Sequence, residues 1–227
     1  ADLVSSAFGH AGQKCSAASL GILVGSVADS ERFRRQLVDA VESIAVGWPA
    51  DLGTRMGPVI EVPSGKLLRA LTTLEPGERW LVQPRRLDDT GRLWSPGVKD
   101  GVRPGSFFHL TEVFGPVLGL MRADSLDEAL ELQNATAFGL TGGLHSLDEE
   151  EIERWTEAVE VGNAYVNRHI TGAIVRRQSF GGWKASLFGD THMYGPEGFS
   201  FYTRRKVVSS RWPEASESQV DLGFPSH

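Results

Sequence analysis

One cysteine, Cys15, stands in the stretch FGHAGQKCSAAS, Phe8 to Ser19, among glycine and small residues. A thiolate attacks carbonyl carbon well near neutral pH, and small neighbours let a substrate reach it. At a loop-to-element junction, exposed backbone N–H groups lower a thiol pKa from its free value of about 8.5 and can hold an oxyanion. A lone cysteine is more often a small buried hydrophobe. Gly12, Gln13, Lys14 and Ser16 are poor neighbours for that role, and they favour a reactive thiol.

The elements that must position this thiol are legible from periodicity. Asp2 to Gln13 carries Leu3, Val4, Ala7, Phe8 and Ala11 at helical spacing, and LGILVGSV, Leu20 to Val27, is an apolar run of strand length. Asp29-Ser30 caps a helix with Phe33, Leu37, Val41 and Ile44 on one face, ending before Pro49. Ala50 to Pro63 reads as loop and Lys66 to Leu74 as a short helix. Strands are expected over Arg79–Leu87, Gly91–Val98, Phe107–Thr111 and Pro116–Met121. Ser125 and Glu128 form a capping box for a helix to Ala135, and Asp148 to Val159 makes an amphipathic helix. Further strands fit Gly139–His145 and Asn163–Asn167, and Phe199 to Trp212 alternates as one long strand. Strands alternating with helices predict an α/β fold, and the extended terminal strand needs a partner sheet.

The bulk properties narrow the function classes. A net charge of -6 provides no basic field for nucleic acid, and no apolar run is long enough for a transmembrane segment. One cysteine excludes an internal disulfide, and His10, His145, His169 and His192 lack ligand spacing, so no metal is expected. Arg176 and Arg177 read as a solvated face. A single thiol suits a reducing, cytoplasmic setting. The first residues, with no Met and no basic leader, read as a cut inside a longer chain.

Several separated blocks resemble the aldehyde dehydrogenase superfamily. GQKCSAAS is similar to its nucleophile motif, Thr111–Pro116 (TEVFGP) to its E-x-F-G-P segment, and Asn167 with Ser179–Lys184 (SFGGWK) to its later blocks. FGLTGGLHSLD and VGNAYVNRHITGAIVRRQSFGG further resemble L-glutamate γ-semialdehyde dehydrogenase (pyrroline-5-carboxylate dehydrogenase), as found in bifunctional proline utilization A proteins. Ser179 departs from the usual proline, which should loosen a turn. The tail from Gly189 to Pro213 instead resembles methylmalonate-semialdehyde dehydrogenases.

The resemblance implies a catalytic domain with a mostly parallel sheet flanked by helices, over residues 1–198. An oligomerisation strand, 199–212, and a flexible tail, 213–227, would follow, giving a homo-oligomer. It makes Cys15 the nucleophile of an NAD-dependent oxidation that passes through a thiohemiacetal and a thioester. Glu112 would bond the nicotinamide ribose hydroxyls, as an acceptor-only carboxylate suits them, and Phe114 would pack nearby. The plainer alternative for Glu112 is a solvated acid at a strand end. Ser16 and the backbone N–H groups of Gly172 and Ala173 would hold the far carboxylate of the semialdehyde, with Phe180 lining the pocket. An ordinary glycine turn is the alternative at Gly172, and a core position at Phe180.

In the same resemblance the NAD-binding domain, the hydrolytic base and a second oxyanion donor lie upstream of residue 1. The isolated chain is therefore expected to lack turnover. FAD would enter only through a fused proline dehydrogenase domain. Two alternatives stand beside this reading: another semialdehyde as substrate, or a non-catalytic assembly module in which Cys15 is a relic.

Overall fold

A computed structural model describes residues 1–174 and 177–187, together with 195, 198, 203, 204 and 206–210. Helix α1, Asp2–Phe8, leads through a 3-10 turn, Gly9–Gly12, toward the cysteine. Strand β1, Leu20–Val24, follows, and then helix α2, Glu31–Glu42. Ser30, and not Asp29, caps α2: its Oγ accepts from the Phe33 N–H at 3.2 Å. Helix α3, Gly65–Thr72, precedes strands β2, Arg79–Val82, and β3, Gly97–Asp100. Helix α4, Phe107–Leu110, strand β4, Val117–Ala123, and helix α5, Leu126–Asn134, come next.

These elements build a four-stranded sheet in the order β1-β4-β3-β2. β4 runs parallel to both β1 and β3, and β2 is antiparallel to β3 at the edge. Every residue of β4 except Arg122 is buried, as expected of a central strand covered on both faces. Its alternation divides the core. Leu118 and Leu120 pack with Ala7 and Phe8 of α1 and with Leu37 and Val41 of α2. Val117, Met121 and Ala123 pack on the other face, with Leu71, Phe108 and Leu132 from α3, α4 and α5. Each of the larger side chains, Val, Leu, Met or Phe, contributes about 1.5–3 kcal/mol when fully buried.

Beyond this sheet the chain forms β5, Phe138–Gly139, β6, Thr141–Leu144, helix α6, Glu149–Ala158, β7, Asn163–Val166, and β8, Trp183–Lys184. β6 pairs with β7 in parallel, and β5 with β8 antiparallel. Trp155 of α6 is buried against Leu130, and its Nε1–H donates to Gln133 Oε1 at 3.0 Å.

Several expectations change. Phe107 to Thr111 is not a strand. Ser106 Oγ accepts from the His109 N–H and starts the short helix α4, directly after the Gly105 turn. The strands expected over Arg79–Leu87 and Gly91–Val98 shrink to β2 and to β3, which begins at Gly97. Pro84 and Pro96 cannot donate to a ladder, and only an isolated bridge, Arg86 to Trp94, joins the outer parts. Gly139–His145 divides between β5 and β6, which serve different sheets. The Ser125 cap holds, but Glu128 accepts from the Asp124 N–H and not from Ser125 itself. Half of the strand expected over 199–212 lies outside the described residues, and the described half, 203, 204 and 206–210, carries no strand. The tail 213–227 lies outside them entirely.

Candidate active site

The approach to Cys15 is a short left-handed turn. His10 (φ 54°, ψ 38°), Ala11 (φ 54°, ψ 33°) and Gly12 (φ 68°) succeed one another in that region. Such a conformation costs an L-residue about 1–2 kcal/mol, so packing must enforce it at His10 and Ala11. The packing is evident: Ala11 is buried, and Gly12 lies so close to Gly115 that a β-carbon would stand 2.2 Å from the Gly115 carbonyl oxygen. The chain then makes a β-turn in which the Ala17 N–H donates to the Lys14 carbonyl at 3.0 Å. Cys15 and Ser16 occupy its two central positions. The thiol is exposed, and the Cys15 N–H has no acceptor among the described residues.

The facing loop, Thr111 to Pro116, descends from α4 into β4. Phe114 is held at φ 58°, and the residue is 36% exposed, enough to meet a ligand face. Gln13 spans the gap between the loops. Its Nε2 donates to the Phe114 carbonyl at 3.3 Å, while its Oε1 accepts from the Ile60 N–H at 2.8 Å. Between the two loops lies a cavity of about 140 Å³ lined by Cys15, Glu112, Phe114, Thr136, Phe138 and Thr141, among others. Ligand pockets for drug-sized molecules run to roughly 300–1,000 Å³, so this space suits the reacting end of a small molecule. The Glu112 carboxylate has no hydrogen bond or ion pair among the described residues. His109 also lines the cavity but is locked: the Gly105 N–H donates to Nδ1 at 2.9 Å, so Nε2 carries the proton and faces the Leu132 carbonyl at 2.8 Å.

The four residues expected at the far end of a substrate do not line this cavity. Ser16 is buried, and its carbonyl accepts from Thr141 Oγ1 at 3.4 Å. Gly172 (φ 91°) is exposed, and a β-carbon there would meet nothing closer than His169 at 3.9 Å, so its backbone is open to approach. Ala173 and Phe180 are half-buried. The loop bearing Gly172 is nevertheless tied to the cysteine turn through Ser6. Its Oγ accepts from the Ile170 N–H, and its carbonyl accepts from the Ala18 N–H, both at 3.0 Å.

Other residues of the expected motifs hold structure. Asn167 clasps Ser146 with both ends of its amide, Nδ2 donating at 2.7 Å and Oδ1 accepting at 3.1 Å. Lys184 forms an ion pair with Glu160 at 2.6 Å. At Ser179, Asn163 supplies what a proline ring would otherwise stiffen, donating to the Ser179 carbonyl at 2.7 Å and accepting from the Gly181 N–H at 3.1 Å. Arg177 is exposed, whereas Arg176 and His192 lie outside the described residues. Among the described residues no cluster of three or more metal-ligating side chains occurs, and no helix is long and apolar enough to cross a membrane.

Gln13 stands inside the GQKCSAAS motif, but nothing in that spacing shows that its amide bridges Phe114 and Ile60. Ser6 carried no signal at all, because it lies inside a helical run as any small residue might.

Comparison with known proteins matches residues 1–208 to the aldehyde dehydrogenase family. A malonate-semialdehyde dehydrogenase of Pseudomonas aeruginosa is 34% identical over 99% of this chain and 46% of its own length. A 1-pyrroline-5-carboxylate dehydrogenase of a Geobacillus species is 37% identical over 91% of this chain and 40% of its own. The chain thus spans less than half the length of these relatives. Among solved structures, Proline Utilization A (PutA) from Corynebacterium freiburgense is 56% identical with a TM-score of 0.87, over 96% of this chain and 22% of that one. A putative methylmalonate-semialdehyde dehydrogenase from Sinorhizobium meliloti, complexed with NAD, is 30% identical with a TM-score of 0.82, over 94% of this chain and 44% of that one. Matched along nearly its whole length in sequence and in fold, the chain belongs to the aldehyde dehydrogenase family.

Proposed function

We propose that this chain carries the nucleophile-bearing half of an NAD-dependent dehydrogenase that oxidises L-glutamate γ-semialdehyde to L-glutamate. The observation that carries the reading is the cavity that unites the exposed Cys15 thiol with Glu112 and Phe114. The donor set fits one end of a dinucleotide. Glu112 offers an unengaged, acceptor-only carboxylate for a vicinal diol, and Phe114 offers an apolar ring face beside it. Those two residues would hold the nicotinamide ribose, and NAD, when bound, supplies the hydride acceptor.

The chain's own part begins with the Cys15 thiolate, whose sulfur forms a bond to the aldehyde carbon as the carbonyl electron pair moves onto oxygen. The unengaged Cys15 N–H is available to that oxyanion, a contact that strengthens as charge develops. Loss of hydride from the thiohemiacetal carbon leaves a thioester on Cys15. Water then cleaves the C–S bond, releasing the acid and returning the thiolate. Small neighbours, Gly12 and Ala17, leave the thiol open to this traffic.

Glutamate semialdehyde is favoured as substrate by the 56% identity to PutA, against 34% to the malonate-semialdehyde enzyme. The open Gly172 backbone supports an anchor for the distal carboxylate, with Ser16 and Ala173 as its companions and Phe180 at the wall. A second reading, malonate or methylmalonate semialdehyde, is favoured by the match that covers 99% of the chain. The proposal includes homo-oligomeric assembly through 199–212, a cytoplasmic setting, and FAD only in a fused proline dehydrogenase domain.

Steady-state kinetics of the full-length protein test the reading. Glutamate semialdehyde should give the higher kcat/KM, and Ser16→Ala should raise KM for it more than for a simple aliphatic aldehyde. A preference for malonate semialdehyde overturns the substrate assignment. Undiminished turnover in Cys15→Ala overturns the nucleophile.

A further inference from the structure

Two loops face each other across the candidate cavity, and one side chain ties them together and to a third segment of the chain. Gln13 sits two residues before Cys15 and reaches both Ile60 and Phe114. The orientation of its amide is fixed by what it meets. The Ile60 N–H can only donate, so Oε1 must face it; the Phe114 carbonyl can only accept, so Nε2 must face that. Neither group finds another partner among the described residues. The Phe114 backbone lies in the left-handed region, which a bulky residue adopts only under outside constraint. Contact between Gly12 and Gly115 brings the loops together at the residue after Phe114, and Gln13 adds the side-chain hydrogen bond to Phe114 itself.

We propose that Gln13 is a positioning residue: it fixes Phe114 in its strained conformation and couples the cofactor side of the cavity to the turn bearing Cys15. The coupling rests on the reading of Cys15 as nucleophile and of Phe114 as a cofactor contact. Gln13 touches no reacting atom; it acts through the two loops that it joins. A glutamate at this position would separate its two functions. It still accepts from Ile60 but cannot donate to Phe114, and its charge would face the Phe114 carbonyl oxygen.

The test uses the full-length protein and the variants Gln13→Glu and Gln13→Ala. Amide hydrogen exchange at Ile60 should be slow in the wild type and in Gln13→Glu, and faster in Gln13→Ala. NADH affinity, read by fluorescence, should fall about three- to tenfold in both variants, the scale of one modest hydrogen bond. KM for NAD should rise with it, while KM for the aldehyde in Gln13→Glu stays within about twofold. A merely structural role would lower the melting temperature without this split. Equal Ile60 exchange in wild type and Gln13→Ala overturns the link, as does unchanged NADH affinity in both variants. Should the wild type bind no NADH, the cofactor reading fails and the coupling fails with it, whereas NADH binding that ignores Gln13 removes only the coupling.

Discussion

The Gly12 α-carbon faces the Gly115 carbonyl so closely that a β-carbon would lie 2.2 Å from its oxygen. This contact joins the cysteine turn to the Glu112 loop, and both glycines line the cavity between them. Gly12→Ala would force the two backbones apart, and it would also place alanine at φ 68°. We expect a loss of about 2–4 kcal/mol in stability from clash and strain together. Chemical denaturation of the wild type and the variant measures it directly. A loss under about 0.5 kcal/mol would mean that the loops can separate freely.

This contact also shows what was legible in the sequence and what was not. The motifs named Cys15, Glu112 and Phe114, and the fold brings all three to one cavity. Periodicity located α5, α6 and the start of α2 closely, because each has a polar cap and a stripe of apolar residues, although α2 ends at Glu42, short of the expected Ile44. It failed at Phe107–Leu110, FFHL, where so short a run of bulky residues serves a helical turn as readily as a strand. Pro84 and Pro96 signalled in the sequence that the strands flanking them would be short, whereas the packing of the Pro84 ring against Gly97 is a tertiary fact. Distances such as those from Gln13 to Ile60 and from Ser6 to Ile170 depend on how distant segments dock, and no local pattern encodes them.

Ser6 yields the second prediction. Its hydroxyl is buried and is the acceptor for the Ile170 N–H, just ahead of Gly172. Ser6→Ala leaves that N–H without its partner, at a cost of about 1–2 kcal/mol. On the proposed substrate reading, the loosened loop should raise KM for a semialdehyde bearing a distal carboxylate. An uncharged aliphatic aldehyde should be affected less. Equal increases for both would separate Ser6 from substrate anchoring and leave it a packing role.

Tyr165 gives a pH signature. Burial on β7 raises its phenol above the ordinary value of 10.0, while the nearby Arg168 guanidinium, 5.2 Å from the ring, pulls it partly back. The folded chain therefore keeps a proton that the unfolded chain gives up. The stability from this neutral phenol is complete below about pH 10 and drains away as pH rises through the folded value. Tyr165→Phe should flatten stability against pH in that alkaline window. In an ultraviolet titration of the wild type, one of the three tyrosines should ionise late, and it should vanish from the variant. Identical alkaline profiles would remove Tyr165 as the source.

Phe114 allows strain and function to be separated. Its φ of 58° is costly for phenylalanine and free for glycine, and the residue is more than a third exposed. Replacing a core phenylalanine costs about 3–5 kcal/mol. For Phe114→Gly we expect stability within about 1 kcal/mol of wild type, because relief of the backbone offsets the modest burial lost and the added unfolded-state entropy. NADH affinity should fall in the same variant if the ring packs against the ribose. Thermal melting and fluorescence titration on one preparation give both numbers. A core-sized loss of stability would mark the ring as structural. Retained stability with weakened NADH binding would mean that the fold sustains a strained backbone in order to present that ring to a ligand.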